Sequence, residues 1–548
     1  MNVIHIKIHS FIILSFFFIL VSITPLLGAE TKSRGNGKSE NLINKEVARL
    51  LKNKEKDKIT LPLKLALGIA LENNLDIQIQ KVGIPISEKA VIEKDAHFDP
   101  VLFGEATDRR FEQQTSSALS GSPIFKNDEQ YGRLGIRKLF RFGLETESYF
   151  ETLRSRNNSS FEGLDPQYKS LLVLSLRQPL LQDFGCQVNT SDIRIAENRL
   201  EIQKNSFRSQ VIHTLDRSEQ TYYDLSGAIE TFNLREESLR LAEELLSNNQ
   251  ERFDAGLTHI GEVQEAETAV ASRQEQVVSA RQQAKNIGSV LKNILQIKPD
   301  SPLYPLVLHT GELSAAVEKC PAREEALSRS LKNRPDYLQK IIEVKNKDVV
   351  LKYSKNQLLP RLDLIGTFGL NGLSGDATMI SFSGQSSKSP FGGGYADSLD
   401  HLADADGYEW LVGLTIEIPL GNRADRSRYD QAKLSKRRSI MDLKNLEDRI
   451  DMEIKVALED IQSSFERISV ADRFVRLAAK TLHQEEERLK RGLSNTFRVL
   501  NFQDDLIDAK IRKIRAQVDY QKGLASLYKA MGTNIQRHGM CLNIPDRK

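Results

Sequence analysis

The stretch Glu409-Trp-Leu-Val-Gly-Leu-Thr-Ile-Glu-Ile418, with the run that follows it to Gly492, decides the fold of this chain. Five apolar side chains share one face of the first stretch: Trp410, Val412, Leu414, Ile416 and Ile418. This period of two predicts a β-strand with one apolar face. Pro419 and Gly421 end the strand, because Pro cannot donate to a sheet and Gly relaxes the backbone.

A single long helix is predicted next. From Asn422 to Arg491 there is neither Gly nor Pro, and apolar residues recur every three or four positions. That spacing is close to the ~3.5 residues of a coiled-coil seam, and 70 or so helical residues would reach roughly 100 Å. The seam residues are Leu443, Leu446, Ile450, Ile454, Ala457, Ile461, Phe465, Ile468, Ala471, Val475, Ala478 and Leu482. A strand that leads into so long a helix requires an extended architecture, because helices of compact domains average about 12 residues.

The composition of the 548-residue chain excludes several classes of protein. Its 77 Lys and Arg nearly balance its 74 Asp and Glu, so nothing indicates nucleic acid as a partner. Cys186, Cys320 and Cys541 are isolated in sequence and form neither a disulfide framework nor a zinc site. We expect at most one disulfide bridge.

No motif for catalysis is present in the sequence. There is no phosphate-binding loop and no H-E-x-x-H, and His483-Gln-Glu-Glu-Glu487 lacks the second His of a metal site. Gly392-Gly-Gly394 lies in a Ser/Gly-rich stretch with no strand-to-helix context, so we interpret it as flexible punctuation. We therefore predict that the chain is not an enzyme and has no catalytic residue, cofactor or metal.

Residues 1–29 predict an export signal. Lys7 forms a short basic lead, Phe11 to Leu27 is an apolar run, and Leu27-Gly28-Ala29 offers small residues for cleavage. The alternative is an uncleaved membrane anchor. No other segment reaches the ~18 apolar residues of a spanning helix, so any further membrane contact would fall to strands. Residues 30–58 form a polar leader.

Two helices and a set of strands are predicted after the leader. Thr60 is a candidate N-cap with Pro62 in the first turn, and a second helix runs from Ile77 to Ala96. Strand-like sequence begins at Val101. Short strand candidates with Gly- and Ser-rich breaks occupy the insertion 109–169, where 135–140 and 144–153 predict an extra hairpin.

A second strand-to-helix unit completes the first half of the chain. The strand Leu171 to Gln178 ends at Pro179, and a long helix is predicted from Ser191 to Asp254. Gly256 breaks this helix, and the next helix runs over 260–296. The apolar seam of that helix is interrupted by a single Arg, at position 273.

The second half repeats the plan of the first. Asn73-Asn-Leu-Asp76 matches Asn333-Arg-Pro-Asp336, Pro179 matches Pro419, and the turn at 252–258 matches that at 488–494. The strand Arg361 to Leu370 and a Gly/Ser-rich loop over 371–406 precede the stretch that opened this section. Several matches in one order predict an internal duplication, 59–297 and 318–532, with a Pro-rich linker 298–317 and a tail 533–548.

The apolar strand faces predict a membrane wall. In water such a face would be a bare hydrophobic patch, whereas against lipid it is the outside of a barrel. The alternative for the helical seams alone is an ordinary soluble coiled coil. One chain supplies four strands, or six with the extra hairpin, and closed barrels need about eight. The predicted fold is therefore an α+β membrane protein, a long antiparallel α-helical coiled-coil tunnel plus an oligomeric transmembrane β-barrel.

The chain resembles an outer-membrane efflux protein of the TolC-like family over nearly all of its mature sequence. The motifs are 61–76, Ser175-Leu-Arg-Gln-Pro-Leu180, 252–267 and their second-half echoes. The resemblance implies a homotrimer with a 12-stranded barrel in the outer-membrane lipid of a Gram-negative-type bacterium and a helical tunnel across the periplasm. It also implies a periplasmic adaptor (membrane fusion) protein and an inner-membrane RND or ABC transporter, as in tripartite efflux or type I secretion.

The two helix-breaking turns resemble the periplasmic tips that meet the adaptor in this family. The tip residues are Gly256, Leu257, Thr258, Gly492, Leu493 and Ser494. A Gly permits the reversal between long helices, and a bare Leu offers an anchor to a partner. The alternative interpretation is a turn with no further role.

Just after each turn the family places polar groups that constrict the tunnel mouth. The candidates are Glu262 and Glu265 in the first half and Arg498 and Asn501 in the second. The last two stand where the family has paired aspartates, which puts an acidic ring in doubt. We hypothesise a Glu262–Arg498 link that holds the tip shut; solvated helix faces are the alternative.

The remaining candidates concern the strands. Pro179 and Pro419 are expected to redirect strand into helix. Trp410 is expected near the aqueous end of a barrel or in an interfacial aromatic belt, with ordinary packing as the alternative. The competing function is a signal-anchored periplasmic coiled-coil scaffold, which has no reason for apolar alternation in Arg361–Leu370 and Glu409–Ile418.

Overall fold

A computed structural model of the chain describes residues 58–116, 122–159, 162–305, 307–311, 320–382, 385–540 and 542. The predicted export signal, all but the last residue of the predicted leader, part of the linker and tail, and Cys541 lie outside the described residues. Within the described part of the chain, no helix combines the length and the apolar composition needed to cross a membrane.

The helices, labelled in chain order, are dominated by two long antiparallel pairs. They are α1 (Leu63–Asn73), α2 (Leu75–Asp95), α3 (Cys186–Asn189), α4 (Ser191–Asp254), α5 (Ile260–Ile294), α6 (Arg323–Asn333), α7 (Pro335–Asn356), α8 (Tyr395–Ala403), α9 (Arg423–Lys490), α10 (Thr496–Ala530) and α11 (Asn534–Arg537). The helix predicted over 422–491 is α9, and those predicted over 191–254 and 260–296 are α4 and α5. The absence of Gly and Pro set the bounds of α9, and the apolar spacing with the break at Gly256 set those of α4 and α5, to within two residues.

The strands fall into three sheets. They are β1 (Lys58–Leu61), β2 (Val101–Gln114), β3 (Ile124–Leu139), β4 (Glu145–Asn157), β5 (Leu164–Pro179), β6 (Val307–Thr310), β7 (Arg361–Ala377), β8 (Met379–Phe382), β9 (Gln385–Lys388) and β10 (Gly407–Glu417). The main sheet has six strands in the order β10-β7-β5-β4-β3-β2, and every neighbouring pair is antiparallel. The hairpin predicted between 135 and 153 is confirmed as β3–β4.

One face of the main sheet carries the apolar side chains predicted from the sequence. Trp410 is opposite Phe368, and Phe368 is opposite Leu174, so these three form one row across β10, β7 and β5. All three are exposed. Because side chains alternate between faces along a strand, the same face continues along each strand at every second residue.

The long helices are held together by narrow aliphatic seams. In α9 the residues Ile450, Ile454, Ala457 and Ile461 are buried, and they pack with Tyr520 and other residues of α10. A second cluster joins α1 and α2 to the first part of α4. Each seam takes one stripe of a helix, which leaves the rest of a long helix open to solvent or to another chain.

The N-terminal helix begins later than the sequence predicted. Lys58–Leu61 is β1, which pairs in parallel with β6, so Thr60 lies in a strand and does not cap a helix. Pro62 takes the N-cap position of α1 and makes no side-chain cap hydrogen bond. The strand forms because Ile59 and Leu61 alternate into the interior, where the hydroxyl of Tyr222 donates to the Leu61 carbonyl at 2.9 Å.

The stretch 371–406, predicted as a Gly/Ser-rich loop, contains regular secondary structure in its described residues. It contains the end of β7, the β8–β9 hairpin and α8. Helix α8 lies directly on β7, because a Cβ on Gly372 would come within 1.9 Å of the Ser398 carbonyl oxygen. Gly394 is the N-cap of α8, and its amide donates to the Asp397 carboxylate at 2.7 Å. Gly394 therefore has a defined place at the start of α8, while the flexibility of 392–394 stays a prediction.

Candidate functional site

The first helix reversal joins α4 to α5 through a glycine in the left-handed region. Gly256 has a φ of +73°, a conformation that costs other residues energy. Its amide donates to the Phe253 carbonyl at 2.9 Å, and the Leu257 amide donates to the Arg252 carbonyl at 2.8 Å. These two bonds satisfy carbonyls that the end of the helix leaves open. The Leu257 side chain is 71% exposed.

The second reversal, between α9 and α10, has the same geometry. Gly492 also has a φ of +73°. Its amide donates to the Leu489 carbonyl and the Leu493 amide donates to the Arg488 carbonyl, both at 2.9 Å. Leu493 is 65% exposed. Each predicted tip is therefore a tight reversal that presents a bare leucine, while its contact with an adaptor stays a prediction.

A buried hydrogen-bond network connects the two reversals. The Thr496 hydroxyl, at the first position of α10, donates to the Glu262 carboxylate at 2.8 Å. The Asn249 amide group donates to the Thr496 oxygen at 2.8 Å and to the Glu262 backbone carbonyl at 3.1 Å. Asn249 and Thr496 are buried. The candidate Glu262 is thus held at the second reversal by two residues that the sequence analysis did not single out.

Arg498 binds a different partner from the one predicted. Its Nε lies 3.0 Å from an oxygen of Glu485, whose side chain is 5% exposed. The Ser494 hydroxyl donates to the same carboxylate oxygen. The Glu262–Arg498 link is therefore not formed within the chain, because Thr496 and Glu485 already supply each group with a closer partner. The other two candidates, Glu265 and Asn501, are both exposed.

Asn249 and Glu485 occupy equivalent positions in the two halves. Each lies seven residues before the glycine of its reversal, and each is buried. The sequence does carry a signal for them, since both are polar residues on the buried face of a helix. Helical periodicity predicts that face, but it does not predict which group across the interface satisfies the side chain.

Arg273 links α5 to the second half of the chain. Its guanidinium is 3% exposed and donates to the Ser238 carbonyl at 3.1 Å and to the Gln503 amide oxygen at 2.9 Å. It also donates to the Leu500 carbonyl at 3.3 Å and to the Asp504 carboxylate at 2.9 Å. A buried charge needs such a set of partners. Arg273, which interrupts the predicted apolar seam, is thus a polar clamp that joins α5 to α4 and α10.

A matching pair of caps closes the other ends of α5 and α10. The Asn74 side chain donates to the Ile294 carbonyl at 3.2 Å, and Arg334 reaches the Ala530 carbonyl at 3.5 Å. These residues are equivalents in the repeated motif that the sequence predicted. The first half uses a neutral amide at this position, whereas the second half uses a charged guanidinium.

The charged cap changes the acidity of its neighbour. Arg334 binds the Asp336 carboxylate at 2.7 Å and also pairs with Glu453. Burial alone would raise the pKa of Asp336, but the hydrogen bond and charge of Arg334 outweigh burial and leave the pKa of Asp336 below its ordinary value. Ionised Asp336 therefore contributes to the stability of this cap.

The predicted strand-to-helix prolines lie at the expected junctions. Pro179 is the last residue of β5, and Pro419 lies between β10 and α9. Trp410 is 69% exposed, so it does not pack inside the chain. The described residues contain no group of three His, Cys, Asp or Glu side chains that could hold a metal ion.

Comparisons with known proteins agree with this architecture. The family model described as outer membrane efflux protein matches residues 149–295 and 326–533. The outer membrane efflux protein BepC of Brucella suis biovar 1 (strain 1330) is 23% identical over 365 residues, which cover 66% of this chain and 71% of BepC.

Solved structures show the same fold. The outer-membrane channel OprN superposes with a TM-score of 0.62 at 15% identity, over 86% of this chain and 90% of OprN. The outer membrane protein VceC of Vibrio cholerae gives a TM-score of 0.59 at 16% identity, over 86% of this chain and 96% of VceC.

Proposed function

The chain belongs to the outer membrane efflux protein family, and we propose that it is the outer-membrane duct of a tripartite efflux or type I secretion system. Substrates pass through its pore, driven by an inner-membrane pump, and the chain itself does no chemistry. The observation that carries the proposal is an exposed apolar sheet face joined to two pairs of long helices. A periplasmic scaffold would have no use for such a face.

The apolar face has the dimensions of a membrane wall. On β10 it runs from Tyr408 past Trp410 to Ile418, which continues the alternation just beyond the strand, and all three are exposed. Ten residues at about 3.4 Å each cover roughly 34 Å, or about 25 Å when the strand is tilted by about 40°. Transmembrane barrels carry an apolar band about 25 Å tall. This agreement supports a barrel in which Trp410 belongs to the outer surface.

The opposite face of the sheet suits a water-filled lumen. Arg133 pairs with Glu147 at 2.6 Å, and Arg177 and Arg361 both bind Asp363, at 2.9 and 3.0 Å. Cross-strand charge pairs of this kind are tolerated beside water and are costly against lipid. The alternation of an apolar and a charged face supports a closed sheet with a polar interior.

Exposed apolar stripes on the helices support a homotrimer. On α2 the residues Leu75, Ile79, Val82 and Ile86 are exposed and are spaced by four, three and four, as in a coiled-coil seam. Helix α9 carries a second exposed stripe, with members Leu434, Met441, Met452 and Val456. Stripes of this kind on a soluble surface mark an interaction site. We assign them to neighbouring copies of this chain, and the family resemblance sets the number at three.

The helix reversals are the proposed contact with the periplasmic adaptor. Leu257 and Leu493 are exposed apolar side chains on tight, glycine-closed turns. A rigid apolar anchor is what a partner groove recognises at low entropic cost. The same end of the tunnel holds Glu262, Glu265, Arg498 and Asn501 as candidates for the constriction.

The internal duplication is proposed from equivalent contacts in the two halves. Asn74 and Arg334 cap the equivalent carbonyls of Ile294 and Ala530. The two reversals have equal φ angles and equivalent hydrogen bonds. The family model also matches the chain in two segments, which supports two related halves.

Substitutions on the two faces of β10 test the proposal. Leu414→Arg places a charge on the apolar face, and Thr415→Arg is a matched control on the opposite face, where charge is tolerated. We expect Leu414→Arg to lose most of its outer-membrane protein and its slow-migrating oligomer in unboiled gels, because arginine near mid-bilayer costs about 2–4 kcal/mol. Thr415→Arg should retain both. Equal behaviour of the two variants, or wild-type protein in the soluble periplasmic fraction, contradicts the proposal.

A further inference from the structure

We infer that the six-stranded sheet is one third of an eighteen-stranded ring, so that the barrel is wider than the twelve-stranded ring that the family resemblance implies. The inference rests on the proposed trimeric duct and concerns how its wall is built. The resemblance to the family implies twelve strands, four from each copy. This chain supplies six strands in one continuous antiparallel sheet.

The two edges of the sheet fit a second copy of the chain. β2 and β10 are the edge strands, with 14 and 11 residues. Because all neighbours are antiparallel and the strand number is even, β2 and β10 run in opposite directions. A copy placed beside β2 therefore presents its β10 antiparallel to β2, and the pattern continues without a break. Closure in this way removes edges that would otherwise invite aggregation.

The two additional strands are the β3–β4 hairpin. Where the described sheet meets the long helices, the strands β2, β5, β7 and β10 lead to or from α2, α4, α7 and α9 through short segments. β3 and β4 connect to each other through a short turn and to no helix. The first family-model match starts at residue 149, inside β4, so β2 and β3 lie outside it. Three copies therefore bring eighteen strands to a rim of twelve helices.

The turn of the β3–β4 hairpin is fixed to segments that lie between the sheet and the helices. Arg141 in its turn pairs with Asp95 at the end of α2, at 2.6 Å. The Gly185 amide, just before α3, donates to the Phe142 carbonyl at 3.1 Å. A Cβ on Gly143 would lie 2.7 Å from a neighbouring backbone oxygen, so the turn fits closely. These contacts hold the hairpin in the wall rather than in the lumen.

The outer face of the sheet continues across the hairpin. The row that contains Trp410 and Leu174 passes through Ser148 and Ile136 to Leu102 on β2. Leu102 is exposed, as is Leu134 on β3. Residues that face lipid in a barrel are apolar and exposed in an isolated chain. Farther along β2 and β3 the same face carries the ion pairs of Arg110 with Asp128 and of Lys126 with Glu112. The apolar part of the hairpin's outer surface is therefore its half next to the helices, and that half takes part in the wall.

The extra strands change the width of the pore. With strands about 4.8 Å apart and tilted by about 40°, a ring of eighteen has a backbone diameter near 35 Å, against about 24 Å for twelve. The barrel then imposes no constriction on cargo that the helical tunnel can deliver. Size selection in this protein falls to the tunnel mouth, at the helix reversals.

Cryo-electron microscopy of the full-length protein in lipid nanodiscs tests the inference. We expect a threefold ring with eighteen strands, in which β2 of one copy pairs with β10 of the next. A threefold ring of twelve strands overturns the inference and leaves the proposed function intact. The absence of any membrane-embedded ring overturns both.

A deletion variant tests the width of the barrel pore by a functional measurement. Replacing residues 116–160 with a two-residue Asn-Gly turn removes β3 and β4 and joins β2 to β5. These strands are already antiparallel to each other, so a twelve-stranded ring can close. We expect polyethylene glycols that enter the wild-type pore from the extracellular side to be excluded from the variant. If the wild type and the deletion variant exclude polyethylene glycols of the same size, the inference is overturned. If the variant does not assemble, the number of strands seen by cryo-electron microscopy in the wild-type protein decides the inference.

Discussion

The turns at Gly256 and Gly492 have the same backbone, with a φ of +73° at each glycine, but their side chains bind different partners. At the first turn, Glu262 binds Thr496 of the other half. At the second, Arg498 binds Glu485 of its own half. One turn is therefore held across the chain by hydrogen bonds, and the other is held locally by a charge pair.

The difference shows that two turns with the same backbone geometry carry different side-chain chemistry. The same pattern holds at the opposite helix ends, where Asn74 caps with an amide and Arg334 with a guanidinium. The first half also contributes Arg273, at a position equivalent to the buried Ala509. We expect the contacts of the first half to hold the two halves together and those of the second half to respond to salt and pH.

The largest expected effect comes from Arg273→Met, which keeps an unbranched apolar stem but removes the hydrogen bonds to α4 and α10. Several buried groups lose their partner, so the free energy of unfolding should fall by about 3 kcal/mol. Thermal or denaturant unfolding of the detergent-solubilised protein measures it. Arg281→Met is the matched control, since Arg281 is half-exposed and lies 3.8 Å from Glu236. A loss no larger than that of the control contradicts the role assigned to the clamp.

Thr496→Val should have a smaller effect, on the link between the turns. The substitution keeps the shape and removes the hydroxyl that joins Asn249 to Glu262, at a cost of about 2 kcal/mol for the buried groups left unpaired. Hydrogen exchange should rise around both turns together. Thr268→Val is the control, because the Thr268 hydroxyl is exposed and bonds only within its helix. Faster exchange at one turn alone would show that the turns are independent.

Glu485→Gln should loosen the second turn only. The amide keeps the size of the side chain but loses the charge that binds Arg498, which costs on the order of 1 kcal/mol for a pair whose arginine is half-exposed. Exchange should rise over 485–498 and stay unchanged over 249–262. High salt should produce the same change in the wild type and none in the variant. Equal salt sensitivity of both proteins would rule out the charge pair as the cause.

The smallest effect is the pH dependence of the second-half cap. Because the pKa of Asp336 is lowered in the folded protein, its contribution is complete above the ordinary aspartate pKa of about 4. It is lost as the pH falls through the lower folded value. Exchange around 330–337 should therefore increase below about pH 4, and Asp336→Asn should remove this increase. An Asp336→Asn variant whose exchange over 330–337 still rises in the same pH range would contradict this role.

Helix α9 was predictable because it contains neither Gly nor Pro, and it begins and ends within a residue of its predicted bounds. Helix α8 was missed because its Asp-rich sequence follows three glycines, and its packing on β7 stabilises it more than its own sequence does. The buried partners Asn249, Glu485 and Thr496 were missed for another reason. Periodicity assigns a residue to a face, but the group opposite it depends on how two distant helices are aligned.

The ion conductance of the purified full-length protein in a planar lipid bilayer tests the central claim most directly. A duct with a continuous wall predicts discrete conductance steps. Arg498→Ala should enlarge these steps, because it removes the ion pair that joins the second turn to Glu485. Inserted protein that gives no steps, in the wild type and in the variant alike, would contradict the account.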